Sequence, residues 1–136
     1  MKGTYLLVMM LSKKTTVTVG KKGVVCFQKG WYVYVGSAMN GLDQRIQRHL
    51  RKQKKIHWHI DYLLPHTQIK SVFIKETKQT DECRIARILA ENLKDIPGFG
   101  CSDCACPSHL FTGSSQEIPR VIASLNMRRY CPDTNP

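Results

Sequence analysis

Near its start the chain reads Gly3-Thr4-Tyr5-Leu6-Leu7-Val8-Met9-Met10-Leu11, and further on it reads Trp31-Tyr32-Val33-Tyr34-Val35-Gly36. Aromatic and β-branched residues fit the pleated surface of a sheet, so both stretches predict β-strands. Each stretch contains a tripeptide with glycine at one end and tyrosine at the other, Gly3-Thr4-Tyr5 and Tyr34-Val35-Gly36. Tyrosine is common in strands for packing reasons alone. The informative feature is therefore the pair of tripeptides and their spacing.

Two shorter strands are predicted between these stretches, at Thr15–Val19 and Val24–Phe27, joined by the turn Gly20-Lys21-Lys22-Gly23. The resulting antiparallel meander would bring the two tyrosine strands side by side. Further along the chain, Ile69–Lys75 predicts another strand, and His109–Phe111 predicts a short edge strand.

Three helices are predicted from apolar spacing and capping residues. The first has Asn40 as its N-cap, with Asp43 closing a capping box, and runs to about Lys52. The second spans Glu82–Lys94 and begins after Thr80 or Asp81, and the third begins at Ser114 with Glu117. Their inward-facing residues are Leu42, Ile46 and Leu50 in the first helix, Ile85, Ala86, Leu89 and Leu93 in the second, and Ile118, Val121, Ile122 and Leu125 in the third. The sequence thus predicts an α+β fold, with a small antiparallel sheet flanked by helices in one domain over residues 1–136.

The excess of positive over negative charge lies in the first half of the chain. The net charge is +11, and residues 1–60 hold twelve Lys and Arg against one acid, whereas residues 61–136 hold nine of each sign. Such a basic surface attracts phosphate backbones by counterion release, although it can also serve solubility alone. The candidate backbone-contacting residues are Lys13, Lys14, Arg48, Arg51, Lys52, Lys54 and Lys55. An anionic membrane is the weaker alternative, because no basic helix has Trp or Phe along its other face.

No apolar run is long enough for a transmembrane helix. The run from Tyr5 to Leu11 is short and lacks a following cleavage site, so a signal peptide is not predicted. These features predict a cytoplasmic protein, and the sequence leaves its oligomeric state open.

The order of parts, from Gly3-Thr4-Tyr5 through Tyr34-Val35-Gly36 to the basic helix with Arg45, resembles the GIY-YIG nuclease superfamily. Thr4 and Val35 stand where that name has isoleucine. With Pro97-Gly98-Phe99-Gly100-Cys101-Ser102-Asp103-Cys104 the chain resembles a compact branch whose members occur alone or joined to endonuclease III-like repair proteins. The resemblance implies a metal-dependent endonuclease acting on DNA in repair or recombination, with a repair protein as a candidate partner.

The resemblance also implies the catalytic residues. Tyr5 and Tyr34 match the two tyrosines, Tyr5 being favoured as the proton acceptor, and Arg45 matches the helix arginine that binds the phosphate. His49 stands where the family often has a Tyr or His that reaches the scissile phosphate, with a structural role as the alternative. Gly36 would let the backbone turn tightly beside the site.

Glu82 is the candidate ligand for the single divalent cation, Mg²⁺ or Mn²⁺, that the resemblance implies. It lies three, four and seven residues before Ile85, Ala86 and Leu89, so it projects from the buried side of its helix. Glu91 falls on the charged face of the helix, where a surface ion pair is the ordinary role. Glu82 could alternatively be an acid that stabilises the first turn of the helix.

The cysteine-rich segment offers a second metal site. Cys101, Cys104, Cys106 and His109 are four zinc-type ligands within nine residues, and free thiols or a disulfide are the alternatives. The pair His57 and His59 could also mimic metal ligands, although a structural or DNA-contacting role beside Trp58 is favoured. Two rival functions remain: an inactive nucleic-acid-binding module with the same fold, and a zinc-stabilised interaction protein.

Overall fold

The computed structural model describes residues 1–52, 54–100 and 106–131, and there the two tyrosine strands pair directly with each other. The strands are β1 (Gly3–Leu11), β2 (Thr15–Val19), β3 (Gly23–Phe27), β4 (Gly30–Ala38), β5 (Gln68–Glu76), β6 (Lys94–Asp95), β7 (Leu110–Gly113) and β8 (Arg128–Arg129). The helices are α1 (Leu42–Leu50), α2 (His59–Leu63), α3 (Glu82–Asn92) and α4 (Glu117–Ala123), with 3₁₀ turns at Gly20–Lys22 and Leu64–His66. The predicted α+β class is confirmed.

The main sheet has six antiparallel strands in the order β6-β7-β4-β1-β5-β8. In the register of β1 against β4, Tyr5 lies opposite Gly36 and Leu7 lies opposite Tyr34. Side chains of a strand alternate between the two faces of the sheet. The two tyrosines are therefore diagonal neighbours on one face.

Both faces of β1 are covered, which explains why its sequence is apolar without alternation. One face, with Tyr5, Leu7 and Met9, packs in a core that includes residues of α1, α2 and the β2–β3 hairpin. The other face, with Leu6 and Val8, packs in a core that includes residues of α3 and α4. The predicted inward-facing residues of the last helix, Ile118, Val121, Ile122 and Leu125, are all buried in that second core.

The predicted meander is wrong in its middle. The strands β2 and β3 pair with each other in a separate two-stranded sheet and do not link β1 to β4. Since α2 packs against β2, this hairpin covers the tyrosine face of the main sheet instead of extending the sheet. The predicted edge strand at 109–111 is also corrected, because β7 lies between β4 and β6.

The start of the first helix differs from the prediction because a backbone group replaces the expected side-chain cap. Gly41 is the N-cap residue, not Asn40, and no side chain caps this end. The amide of Leu42 instead donates to the carbonyl of Met1, 2.9 Å away. This bond also joins the start of α1 to the residues that lead into β1.

The helices α1 and α3 end earlier than predicted, because the residue after each of them has an extended backbone conformation. Arg51 and Leu93 adopt extended backbone conformations, so α1 ends at Leu50 and α3 ends at Asn92. Lys94 then pairs with β7 as part of β6. None of the described helices has the length and apolar character needed to cross a membrane.

Candidate active site

An open cleft of about 630 Å³ lies on the tyrosine face of the main sheet, and we call it the tyrosine cleft. It is lined by Tyr5, Tyr34, Gly36, Ser37, Met39, Arg45, His57, Trp58, His59, Thr80, Glu82, Cys83, Gly100 and His109. Four of the five predicted catalytic residues are among these side chains. They come from β1, β4, α1 and α3, so residues far apart in sequence meet in one place.

The tyrosine pair is positioned by strand register and by a glycine. The ring centroids of Tyr5 and Tyr34 are 6.4 Å apart, and both side chains are largely buried. A Cβ atom at Gly36 would lie 2.4 Å from the Tyr5 hydroxyl oxygen. Gly36 therefore makes room for the phenol opposite it within a regular strand, and the tight turn expected at this glycine is not found.

The Tyr5 hydroxyl lies 2.7 Å from Nε2 of His49, and this contact is buried. Burial lowers the pKa of His49 to about 3, against the opposing charge of Asp61, so the imidazole is neutral at pH 7. Burial also raises the pKa of Tyr5, although the Arg45 guanidinium opposes this shift. The contact therefore joins a neutral phenol and a neutral imidazole. His49 does not line the tyrosine cleft, but its ring packs against Tyr5, Tyr34 and Trp58, which do.

Tyr34 is likewise a neutral phenol. Burial raises its pKa, and the negative charges of Tyr5, when ionised, and of Glu82 raise it further, while Arg45 lowers it. Its ring packs edge-on against Phe99, with centroids 6.5 Å apart. This packing fixes the direction of the hydroxyl in the cleft.

Arg45 projects from α1 into the cleft and is held on two sides. Its Nη1 donates to the backbone carbonyl of Ser37, 2.9 Å away. Its guanidinium carbon lies 4.3 Å from the centroid of the Trp58 ring, which is a cation–π geometry. A guanidinium has five N–H donors, so these contacts leave donors for a phosphate group.

Sequence reasoning missed Asp61, which holds Trp58 in place. The fully buried Asp61 carboxylate accepts hydrogen bonds from the amides of His57 and Trp58, at 2.8 and 2.9 Å. Arg48 donates to both of its oxygens, at 3.0 and 2.9 Å, and also stacks on the Trp58 ring. Burial raises the pKa of Asp61, but these hydrogen bonds outweigh burial and hold it below its usual value. The only signal in the sequence was an acid three residues after Trp58, as in a capped first turn.

Glu82 is the carboxylate of the cleft. Its Oε2 accepts a hydrogen bond from the Ser37 hydroxyl at 3.1 Å, and its Oε1 lies 3.1 Å from Nδ1 of His109. One fifth of the side chain remains exposed, so its oxygens also face the cleft. A carboxylate beside a guanidinium and two phenols fits a hard cation such as Mg²⁺, which takes few protein ligands and keeps several waters. Glu91, by contrast, is exposed on the far side of α3.

His59 lines the cleft opposite the strands. Its Nδ1 accepts a hydrogen bond from the Gly100 amide at 2.9 Å, and burial and the charge of Lys22 lower its pKa. His59 begins α2, so it does not share a strand face with His57 as a metal pair would. This neutral imidazole ties the loop around Gly100 to the cleft wall.

The predicted backbone-contacting residues fall into two groups. Five of them are exposed: Lys13, Lys14, Arg51, Lys52 and Lys55. Arg48 is committed to Asp61, and Lys54 donates to the carbonyls of Arg48, His49 and Arg51 at the end of α1. A second groove of about 480 Å³, which we call the basic groove, is lined in part by Arg51, Lys52 and Lys54.

The predicted zinc ligands Cys101 and Cys104 lie outside the residues that the structure describes. The other two, Cys106 and His109, are described and lie close to Cys83, on α3. The spacing along the chain did not indicate Cys83, because it lies some twenty residues before the cysteine-rich segment.

Comparison with known protein families gives one match. The family model described as Domain of unknown function DUF123 matches residues 4–130, which include every described residue of the tyrosine cleft. Neither a curated protein nor a solved structure matches the chain.

Proposed function

The chain belongs to the DUF123 family, and we propose that it is a metal-dependent endonuclease of the GIY-YIG type that hydrolyses phosphodiester bonds in DNA. The observation that carries the proposal is the convergence of Tyr5, Tyr34, Arg45 and Glu82 on one cleft. Two phenols, a guanidinium and a carboxylate supply the groups that this hydrolysis requires: one that handles the proton of water, one that neutralises the phosphate, and one that holds a cation.

Arg45 binds the phosphate in this proposal. Its planar fork matches two phosphate oxygens and stays charged at any working pH. The Trp58 ring and the Ser37 carbonyl hold the fork before the substrate arrives, which reduces the cost of ordering it. Negative charge that develops on the phosphate in the transition state then meets donors already in place.

Tyr5 receives the proton of the attacking water. As the water oxygen bonds to phosphorus, the bond between phosphorus and the leaving sugar oxygen breaks, and that oxygen takes a proton from solvent in the open cleft. One proton of the attacking water moves to the Tyr5 oxygen, and the phenol proton moves to Nε2 of His49. The 2.7 Å contact between these atoms supports this transfer when the lone pair of the neutral ring lies on Nε2. Burial, which lowers the pKa of His49, opposes the imidazolium that forms, and the negative charge of Asp61 favours it. Tyr5 is then never a free phenolate, which its buried position disfavours.

Glu82 is the residue that would hold the divalent cation, Mg²⁺ or Mn²⁺. A cation there supplies positive charge that lowers the pKa of its bound water and of nearby phenols. Ser37 and His109 orient the carboxylate toward the cleft. In this arrangement Tyr34 orients the water or the phosphate.

DNA is the proposed substrate because the charge excess lies in the half that carries both tyrosine strands. We further propose that the substrate is structured or damaged DNA, in repair or recombination, and that a repair protein lends specificity. We propose that the protein acts in the cytoplasm.

A nucleic-acid-binding module without turnover is the second candidate. The observation that favours it is the burial of both phenols, which raises the pKa of each and leaves little phenolate to act as a base. The two candidates differ in one measurable property, since only the nuclease releases cut product.

Glu82→Gln is expected to raise the Mg²⁺ concentration needed for half-maximal DNA nicking by about 10–100-fold, a loss typical even of groups that only orient a metal ligand. The amide keeps the size of the side chain but removes the charge that attracts the cation. The measurement is nicking of a panel of duplex, branched and single-stranded DNA and RNA substrates, with Mg²⁺ or Mn²⁺ titrated.

Glu91→Gln is the matched control, because it changes the same residue type on the exposed face of the same helix. It is expected to leave the metal dependence unchanged. A wild-type protein that binds these substrates but cuts none of them establishes the binding module instead.

DNA affinity is expected to fall steeply with salt, by a slope of about 0.9 in log–log terms for each phosphate neutralised. Replacing both Arg51 and Lys52 by alanine should lower this slope by about 2, because both side chains are exposed at the basic groove. Salt titration by fluorescence anisotropy measures it. The control, Lys78→Ala with Lys94→Ala, removes two exposed cations from the charge-balanced half. Equal slopes in both double variants would assign DNA contact to a different surface.

A further inference from the structure

We propose that Cys83, Cys106 and His109 form a zinc site beside the tyrosine cleft, separate from the Mg²⁺ ligand Glu82. One ligand atom of each of the three residues lies within 4.8 Å of the others. The proposal does not depend on nuclease activity, since metal binding is measured on the protein alone.

Two segments far apart in sequence bring these ligands together: the start of α3 and the stretch that leads into β7. Cys83 lies in the first turn of α3, Cys106 in the segment before β7, and His109 directly before that strand. His109 is almost fully buried, and the backbone around it is fixed, because its amide donates to the Phe99 carbonyl and its carbonyl accepts from the Val35 amide. The backbone positions of Cys83 and His109 are therefore fixed by α3 and by the main sheet, and side chains move to bind the metal.

The spacing is close to that of a zinc centre. Zinc–sulfur bonds of about 2.3 Å and zinc–nitrogen bonds of about 2.0 Å in a tetrahedron place ligand atoms about 3.5 Å apart. The observed limit of 4.8 Å requires closing by about 1 Å, which small side-chain rotations supply.

The carboxylate of Glu82 contacts the ring of His109. Its Oε1 lies 3.1 Å from Nδ1 of His109. When Nε2 is the atom that binds zinc, the proton on Nδ1 would face this carboxylate. Histidine ligands of zinc commonly donate their other ring N–H to a carboxylate, which fixes the tautomer and orients the ring. The same contact links the proposed zinc site to the carboxylate of the tyrosine cleft.

The ligand types select the metal. Thiolate and imidazole are ligands for Zn²⁺, whereas Mg²⁺ takes oxygen ligands. Cys83 and Cys106 also line a small cavity of about 220 Å³ with Arg87, Ala90 and Pro107, which gives a metal ion or its water a route from solvent. A site with three protein ligands keeps a position for that water.

Metal analysis of the protein purified under reducing conditions tests the proposal. The wild type is expected to hold about one zinc per chain. After zinc is replaced by Co²⁺, the thiolate ligands should give an intense sulfur-to-cobalt charge-transfer band. Cys83→Ser is expected to weaken zinc binding by at least about 10-fold, as measured by competition with a chelating dye.

Cys83 is the decisive position, because the ligand set suggested by sequence spacing does not contain it. Cys26→Ser is the control, since Cys26 is a free, exposed cysteine on β3, away from the cluster. Cys83→His keeps a ligand atom and is expected to retain zinc with a weaker charge-transfer band, which separates ligand loss from misfolding. A wild-type protein that binds neither zinc nor cobalt, or a Cys83→Ser protein with wild-type zinc affinity, overturns the proposal.

Discussion

Tyr5→Phe is expected to slow DNA cleavage by about 10²–10⁴-fold, the range typical of lost proton transfer, without weakening DNA binding. The substitution removes one hydroxyl, the only group of Tyr5 that contacts Nε2 of His49. Without it, the attacking water loses its proton acceptor and His49 loses its hydrogen bond with Tyr5. Single-turnover cleavage with saturating protein measures the loss separately from binding.

Tyr5→Phe is expected to lower the free energy of unfolding only moderately. Among the described residues Nδ1 of His49 already has no hydrogen-bond partner, and Tyr5→Phe leaves Nε2 without one as well. An unsatisfied buried polar group costs about 1–3 kcal/mol, so the variant should fold but melt at a lower temperature.

Tyr32→Phe is the matched control. Tyr32 is also a buried tyrosine of the main sheet, and its hydroxyl donates to the Gln28 carbonyl at 2.6 Å, but it does not line the cleft. It is expected to lower stability by a similar amount without slowing cleavage. A folded Tyr5→Phe protein that cuts at the wild-type rate would remove Tyr5 as proton acceptor and make Tyr34→Phe the next variant to test.

Arg45→Ala is expected to lower the cleavage rate by about 10²–10³-fold, the loss typical of removing one preorganised donor from a transition state. DNA affinity should fall only slightly, because the other cations of the first 60 residues still attract the backbone. Arg45→Lys keeps the charge but not the planar fork, so its rate should lie between those of the wild type and the alanine variant.

Arg51→Ala is the control for charge alone. Arg51 is exposed directly after α1 and lies outside the tyrosine cleft. It is expected to weaken binding and to leave the rate at saturating protein unchanged. Equal rates for Arg45→Ala and the wild type would exclude Arg45 from the mechanism.

The long strands could be predicted because their residue types suit only one structure. β1 and β2 have the predicted limits, and β4 and β5 extend somewhat beyond the predicted segments. The two-residue strands β6 and β8 could not be predicted, because they consist of charged residues with no apolar pattern. They exist because the exposed edges of β7 and β5 offer backbone partners. The meander was wrong because hairpin signals specify a turn but not which sheet its strands join.

Part of the candidate site could be predicted from the sequence, because its chemistry depends on residue types at particular strand and helix positions. The periodicity of α3 separated Glu82 from Glu91, and the structure places them accordingly. The positions of Asp61, Ser37 and Cys83 were not readable, since each acts through a contact across the fold. Arg48 and Lys54 show the same limit, because a sequence counts cations without showing which are engaged within the fold.

The central place of β1 in the sheet determines when the tyrosine cleft can form during translation. The ribosome delivers Tyr5 early, but the groups around it follow on β4, α1 and α3, and His109 comes only just before β7. The basic first half of the chain thus leaves the ribosome before Glu82 and His109 do. For a nuclease, we infer that a nascent chain can attract nucleic acid, including its own message, but cannot yet cut it.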